Sequence, residues 1–271
     1  MMELTRIEKE NIESFRALLP EGEVLTEQSA VGLVDEDRTA VAAAVLSSLG
    51  RGVTLDWFLV HPKYRRQGAG TTLLFRIKEL LAQEAEALHV SYLREFPGFE
   101  EFLLQNGFLI TGGDPVYTVK AGDASESPLG AELKRYEASR RVKRISELDT
   151  KEKEELRHFA REQIGSGKVL ARCAPELSFV IYDREEITAC LLLEPAEEDV
   201  YQVSLLLSTA EETETMSLLK GLLDNVLSQK KRSTLLRFVA TGDSVERLAR
   251  RLYPEDTEPE SSELCYAVYA L

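Results

Sequence analysis

The chain predicts a mixed α/β (α+β) fold used twice in tandem, each copy a mostly antiparallel sheet flanked by helices. Three observations lead there. Short apolar runs alternate with amphipathic segments at helical spacing, a strand, a Gly-rich turn and a helix follow one another near residue 60, and the same order of elements returns after residue 141.

In the first half, Glu10 to Leu19 sets Ile12, Phe15, Leu18 and Leu19 on one helical face. Val31 to Val34 and Ala40 to Leu46 flank Asp35, Glu36 and Asp37 as the arms of an antiparallel hairpin. Val53 to Val60 reads as a buried strand, and Thr71 to Ala87 as a helix with Leu73, Leu74, Ile77, Leu80 and Leu81 inward. Further strands are expected at 88 to 93 and 116 to 119.

Lys120 to Arg141 scatters Gly122, Ser125, Ser127, Pro128 and Gly130 among charges and breaks the apolar period, so residues 121–141 read as a linker between domains at 1–120 and 142–271. The second half begins with a strand at Val142 to Ile145, a helix at Thr150 to Gln163, a hairpin at 178 to 194 and a strand at 200 to 207. A helix at 211 to 228, a strand at Thr234 to Val239, a helix at Ser244 to Leu252 and a strand at Cys265 to Ala270 complete it, as in a diverged duplication.

Charge and cysteine usage narrow the function classes. With 47 acidic against 33 basic residues the formal charge is −14, and both halves are acidic, so a nucleic-acid partner is not expected. No apolar run reaches the roughly 18–20 residues of a bilayer span and the first residues lack a leader pattern, so a soluble protein without a membrane partner is expected. Cys173, Cys190 and Cys265 are odd in number and match no metal-ligand spacing with the three histidines, which points to the reducing cytoplasm and to no metal.

The segment with chemistry is Arg65-Arg66-Gln67-Gly68-Ala69-Gly70, between the apolar strand and the helix at Thr71. Glycines let successive amides converge, and the helix start adds its unpaired N–H groups and positive dipole end, which together make an anion cradle. The loop lacks the Lys-Ser/Thr of a nucleotide-triphosphate loop. The other candidate, Gly165-Ser166-Gly167-Lys168, has Glu162 and Val169 where that pattern needs Gly and Ser/Thr, so triphosphate hydrolysis is disfavoured.

The run Leu55-Asp56-Trp57-Phe58-Leu59-Val60-His61-Pro62-Lys63-Tyr64-Arg65-Arg66-Gln67-Gly68-Ala69-Gly70 resembles the signature segment of the GNAT N-acetyltransferase superfamily, whose loop reads Arg/Gln-x-x-Gly-x-Gly/Ala. Gly107-Phe108 is similar to that family's Gly-Phe, so the resemblance covers most of residues 1–120, while 142–271 match only in element order. It implies that acetyl-CoA enters where the strand splays from its neighbour. Leu59 and Val60 would hold the pantetheine arm, and Arg65, Arg66, Gln67, Gly68, Ala69, Gly70 and Thr71 the pyrophosphate. An amine would attack the thioester directly while a strand amide near Leu59 or Val60 polarises the carbonyl.

Two family positions differ. Many members carry Tyr as proton donor five residues before the Phe of Gly-Phe, and Asn seven residues before that Tyr, whereas this chain has Leu103 and Phe96. Tyr92, Tyr117 or a water is left to protonate the thiolate, and Asp56 or Glu95 to act as base through a water. His61 is expected to be structural or exposed. In the second half, Ser208-Thr209-Ala210-Glu211-Glu212 offers no Gly-x-Gly and places carboxylates where phosphates would sit, so that half is expected to be degenerate. The expected function is an acetyl-CoA-dependent N-acetyltransferase acting on a primary amine of a small molecule or peptide. A non-catalytic acyl-CoA-binding or interaction module is the alternative.

Overall fold

The computed structural model describes residues 2–20, 29–96, 98–136, 141–164, 169–183, 186–209 and 212–271. They form two compact units, Met1–Gly113 with Leu264–Leu271, and Asp114–Glu263.

The first unit runs β1 (Glu3–Ile7), α1 (Ile12–Phe15), β2 (Ser29–Val34), β3 (Ala40–Leu49), β4 (Gly52–Val60), α2 (Ala69–Leu81), β5 (Ala87–Leu93), α3 (Phe99–Gln105) and the start of β6 (Leu109–Lys120). β1 to β4 pair antiparallel in chain order and β5 joins β4 in parallel. β3 reads Ala-Val-Ala-Ala-Ala-Val-Leu with every one of these residues buried, because helices cover both its faces. Val41, Ala44 and Leu46 meet the α2 stripe of Leu73, Leu74 and Ile77, while Ala43 and Val45 pack with Phe15 of α1 and with Leu18.

The second unit contains α4 (Ala121–Glu126), α5 (Pro128–Arg135), β7 (Val142–Arg144), α6 (Thr150–Ile164), α7 (Val169–Arg172), β8 (Phe179–Asp183), β9 (Glu186–Glu197), β10 (Val200–Ser208), α8 (Glu212–Gln229), β11 (Leu235–Val239), α9 (Asp243–Arg250) and the start of β12 (Ser261–Ala270). Its sheet order is β6-β11-β10-β9-β8-β7, with β10 and β11 parallel and the other pairs antiparallel. The expected α/β class and the sheets flanked by helices are present in both units.

The division of the chain differs from the expected one at three places. Residues 121–136 are not a linker. Ser127 caps α5 by accepting the Gly130 N–H at 3.0 Å, Pro128 fills its first turn, and Ala121, Ala124, Leu129 and Leu133 are buried in one cluster with Leu219 and Leu222 of α8. Residues 137–140 of the expected linker, like 165–168, lie outside the described residues. The end of β6 belongs to the second unit, where Val116–Lys120 pair with Val239–Leu235. The end of β12 belongs to the first, where Leu264–Ala270 pair with Leu93–Ala87 of β5. The first sheet thus takes its partner for β5 from a segment about 150 residues further along the chain, Asp114–Glu263 intervening.

Candidate functional site

The site begins with a bulge in β4. Trp57 pairs with Val45 and Leu55 with Leu46, which leaves Asp56 as the extra residue. Side-chain packing agrees. Val53 and Leu55 lie in the α2-side cluster, as do Phe58 and Val60, whereas Trp57 and Leu59 lie in the α1-side cluster. Period-two alternation is therefore broken between Leu55 and Trp57, at Asp56.

At the same point β4 leaves β5. The parallel ladder holds for Val53–Leu88, Thr54–His89 and Leu55–Val90 and stops there, so Asp56 to Val60 run beside a gap. The His61 N–H donates to the Val41 carbonyl at 2.9 Å. Alternation in an antiparallel pair then commits the Leu59 peptide groups to β3 and turns those of Phe58 and Val60 toward the gap. Of the two strand residues expected to hold a ligand arm by their backbone, Val60 faces the gap and Leu59 does not. Phe58 takes its place, and no sequence cue distinguishes these neighbours because the parity is set by the bulge.

The loop connects this edge to the N-terminus of α2. Gly68 stands just before the helix at φ +82°, and a Cβ there would meet nothing within 4 Å. The first bond of the helix runs from the Thr72 N–H to the Gly68 carbonyl at 2.9 Å, so the amides of Ala69, Gly70 and Thr71 have no acceptor within the helix. This open, glycine-preceded helix start fits a diphosphate. Gly70 has a different duty. Its Cβ would sit 3.4 Å from both Phe102 and Val60, so it lets α2 close against α3 and β4.

Two side chains of the loop are spent on shaping it. Arg65 Nε donates to the Val60 carbonyl at 3.0 Å and Gln67 Nε2 to the Lys63 carbonyl at 2.6 Å. The Tyr64 hydroxyl donates to Asp35 Oδ2 at 2.6 Å, which ties the loop to the β2–β3 turn and holds the Asp35 carboxyl below its ordinary range. Arg66, at φ +60°, reaches over Gly98 at the start of α3. His61 is structural, as expected: its Nδ1 accepts the Lys63 N–H at 3.3 Å. An open surface depression of about 760 Å³ in this unit lies elsewhere, beside Met2, Leu4, Arg38 and Leu80, and no loop residue lines it.

Of the residues expected to move protons, Asp56 is at the bulge, half-buried, and Glu95 is exposed. Tyr92, 5% exposed, stands on β5 two residues beyond the last pair with β4, its ring edge-on to Phe99 and its hydroxyl donating to Glu100 Oε2 at 2.8 Å. Burial first, and then that bond, hold its pKa far above the ordinary tyrosine range. Tyr117 belongs to the second unit, where it is buried, donates to Glu246 Oε1 at 2.9 Å and carries Arg250 over its ring. Tyr92 and Asp56 therefore share one unit, and Tyr117 is committed to the core of the other. Leu103 is fully buried in the first core, and Phe96 is 60% exposed. Among the described residues no group of His, Cys, Asp and Glu could hold a metal ion.

The second unit repeats the strand but not the loop. β10 pairs with β11 up to Val203–Phe238, and the extra residue of its own bulge is Ser204, between Val203–Leu193 and Leu205–Leu192. Val203 and Leu206 face the α8 cluster while Leu205 and Leu207 face the α6 cluster, the same change of parity. Residues 210–211 of the expected acidic turn lie outside the described residues, and α8 starts at Glu212. In its first turn Glu214 is buried, accepting from Thr188 Oγ1 at 3.0 Å with Arg141 at 3.6 Å, so a carboxylate of the chain sits next to the helix start.

Comparison with known proteins agrees with this geometry. Residues 3–97 match the model of the acetyltransferase (GNAT) family. No curated protein matches the chain. Among solved structures, a tandem GNAT protein from the clavulanic acid biosynthesis pathway is similar over 100% of this chain and 98% of its own, at TM-score 0.65 and 12% identity. A GCN5-related N-acetyltransferase from Anabaena variabilis is similar over 100% of this chain and 73% of its own, at TM-score 0.65 and 12% identity. A probable N-acyltransferase from Enterococcus faecalis is similar over 100% and 72%, at TM-score 0.62 and 12% identity. At these identities the structural likeness establishes a shared fold.

Proposed function

We propose that this chain, whose residues 3–97 form a domain of the GNAT acetyltransferase family, is an acetyl-CoA-dependent N-acetyltransferase with one cofactor site, in the first unit, acting on a primary amine of a small molecule or peptide. The observation that carries the reading is the gap opening between β4 and β5 beyond Leu55–Val90, with the unpaired amides at the start of α2 beside it. A slot with a row of outward peptide groups suits an extended amide-bearing arm, and a bare helix start suits the diphosphate at its other end.

Acetyl-CoA supplies an acetyl group activated as a thioester. The amides of Ala69, Gly70 and Thr71 would bind its diphosphate, with Arg66 as nearby cation, and the amides of Phe58 and Val60 would line the arm and polarise the acetyl carbonyl. The acceptor nitrogen attacks the carbonyl carbon, the C–N bond forms and the C–S bond breaks, and the proton lost by nitrogen passes through water to Asp56 or to solvent. The thiolate leaves with little need of an acid, since a thiol has a pKa of about 8.5. We assign Tyr92 to holding α3 through Glu100 rather than to proton donation, because its hydroxyl proton is already given. Three free cysteines suit the cytoplasm as the compartment of action.

Release of free CoA thiol from acetyl-CoA across a panel of amines tests the reading. Turnover that requires both substrates supports it. Tight acetyl-CoA binding with no turnover of any amine would replace it with the non-catalytic acyl-CoA-binding module.

A further inference from the structure

Packing does little to hold the loop that leads into α2. Arg65, Arg66, Gln67 and Gly68 are all exposed, so the shape of this stretch rests on hydrogen bonds. Most of these are local. The side chains of Arg65 and Gln67 end on the Val60 and Lys63 carbonyls, and the N–H groups of Tyr64 and Arg65 on the His61 and Pro62 carbonyls. Local bonds set the curl of a loop but not its place against the sheet. Among the described residues, the hydrogen bond that ties it to a distant element is the one from Tyr64 to Asp35, 29 positions away.

Asp35 is a fixed anchor. Its Oδ1 accepts the Asp37 and Thr39 N–H groups at 3.0 and 2.9 Å, its own N–H donates to the Thr39 carbonyl at 3.1 Å, and Val34 and Ala40 on either side of the turn are buried. One carboxylate thus closes the β2–β3 turn with one oxygen and receives the loop with the other. Tyr64 is constrained as well: its half-buried ring packs on the α2-side cluster and meets His61 edge-on at 5.9 Å. A hydroxyl 2.6 Å from a carboxylate oxygen makes a bond of the short, charge-assisted kind.

We infer that Tyr64 and Asp35 are positioning residues for the diphosphate of acetyl-CoA: together they latch the loop in its ligand-ready shape before the ligand arrives. The inference rests on the cofactor-binding reading above and adds to it two residues that act through the loop, not by contact with the ligand. An unlatched loop would lose its conformational freedom at the moment of binding, and affinity would fall accordingly. A latch set in advance serves the ground state and the transition state alike, so it acts on KM and not on kcat.

Limited trypsin digestion of the ligand-free full chain reads the latch without any ligand, because Arg65 and Arg66 lie in the loop. In Tyr64→Phe, which removes one oxygen and keeps the ring, cleavage after these two residues is expected to be about tenfold faster while cleavage elsewhere keeps its wild-type rate. By calorimetry the acetyl-CoA Kd rises about tenfold in Tyr64→Phe. It rises less in Asp35→Asn, whose amide keeps Oδ1 for the turn and offers the hydroxyl a neutral partner; this variant serves should the first not fold. The double variant is no weaker than Tyr64→Phe alone, since the two side chains share one bond. With any amine that is accepted, KM for acetyl-CoA rises by the same factor and kcat at saturation holds. Wild-type cleavage rates and wild-type Kd in both single variants overturn the inference, as do additive losses in the double variant or a fall in kcat at unchanged KM. Failure of the wild-type chain to bind acetyl-CoA, measured first, would instead remove the reading on which the inference rests, and the trypsin comparison would still judge the latch by itself.

Discussion

His61 and Thr209 hold the same place in their two units: the His61 amide donates to the Val41 carbonyl at 2.9 Å and the Thr209 amide to the Thr188 carbonyl at 2.8 Å. From His61 the chain spends seven residues, Pro62 to Gly68, before α2 begins at Ala69. From Thr209 it spends two, 210 and 211, before α8 begins at Glu212. The strand has been kept and the cradle is five residues shorter. Acetyl-CoA is therefore expected to bind at a stoichiometry of one per chain by calorimetry, and two equivalent sites would contradict this.

Gly68 is the position at which a side chain costs most for binding. At φ +82° a non-glycine residue carries strain of roughly 1–2 kcal/mol. Gly68→Ala should raise the acetyl-CoA Kd a few-fold, and Gly68→Glu, which also brings a negative charge to the helix start, at least about tenfold. Wild-type affinity in Gly68→Glu would remove the cradle from the site.

Gly70 should behave differently although it lies in the same motif. With Phe102 and Val60 at 3.4 Å from its virtual Cβ, Gly70→Ala fits at van der Waals contact and should leave affinity and Tm near wild type. Gly70→Leu has to displace Phe102 and should cost about 1–3 kcal/mol of stability, read from chemical denaturation. Equal stability of the two variants would show that α2 and α3 are not in close contact there.

Tyr92→Phe separates a proton donor from a strut. Loss of the bond to Glu100 should lower stability by about 1 kcal/mol while kcat stays within about threefold, whereas a positioned acid would cost at least about 10²-fold. The pH dependence has a definite sign. Because the folded pKa is raised, the unfolded chain loses this proton first as pH passes about 10, and stability falls from there upward. The phenylalanine variant should show a shallower alkaline loss than wild type.

Tyr117→Phe is expected to leave acetyl-CoA affinity and turnover unchanged and to lower Tm by about 2–4 °C, the size of one hydrogen bond at this chain length. Its partner Glu246 is held below the ordinary carboxylate range by Arg250 and then by Tyr117. That contribution is present above the unfolded carboxylate pKa and disappears as pH falls through the folded one. The Tm difference between variant and wild type should accordingly shrink in acid, and a difference that grows there would argue against the pair.

Sequence carried the loop well because its cues are local: Pro62 ends the strand, Gly68 precedes the helix, and the apolar period of α2 starts where the glycines stop. Local cues failed where a residue type has two uses. Ser127 and Pro128 look like linker residues, yet one caps a helix and the other opens it. β1 carries too little signal of its own, as Glu3 to Ile7 offer only five residues. The pairing of β12 with β5 could not be read from its own residues, since Cys265 and Ala267 are as apolar as any strand core and nothing in them names the partner. The bulge was hidden for the same reason: Asp56 within an apolar run marks an anomaly but not its geometry.

The placement of Leu264–Ala270 beside β5 has a consequence in time. A ribosome adding about 5–20 residues per second needs roughly 8–30 s to make the 150 residues from Asp114 to Glu263, and for that interval Ala87–Leu93 await their partner strand. Synthesis order and folding order are thus decoupled. The nascent first unit presents an open edge while the second is being made, and a message truncated within the second unit before Val239 yields a chain in which neither sheet is whole.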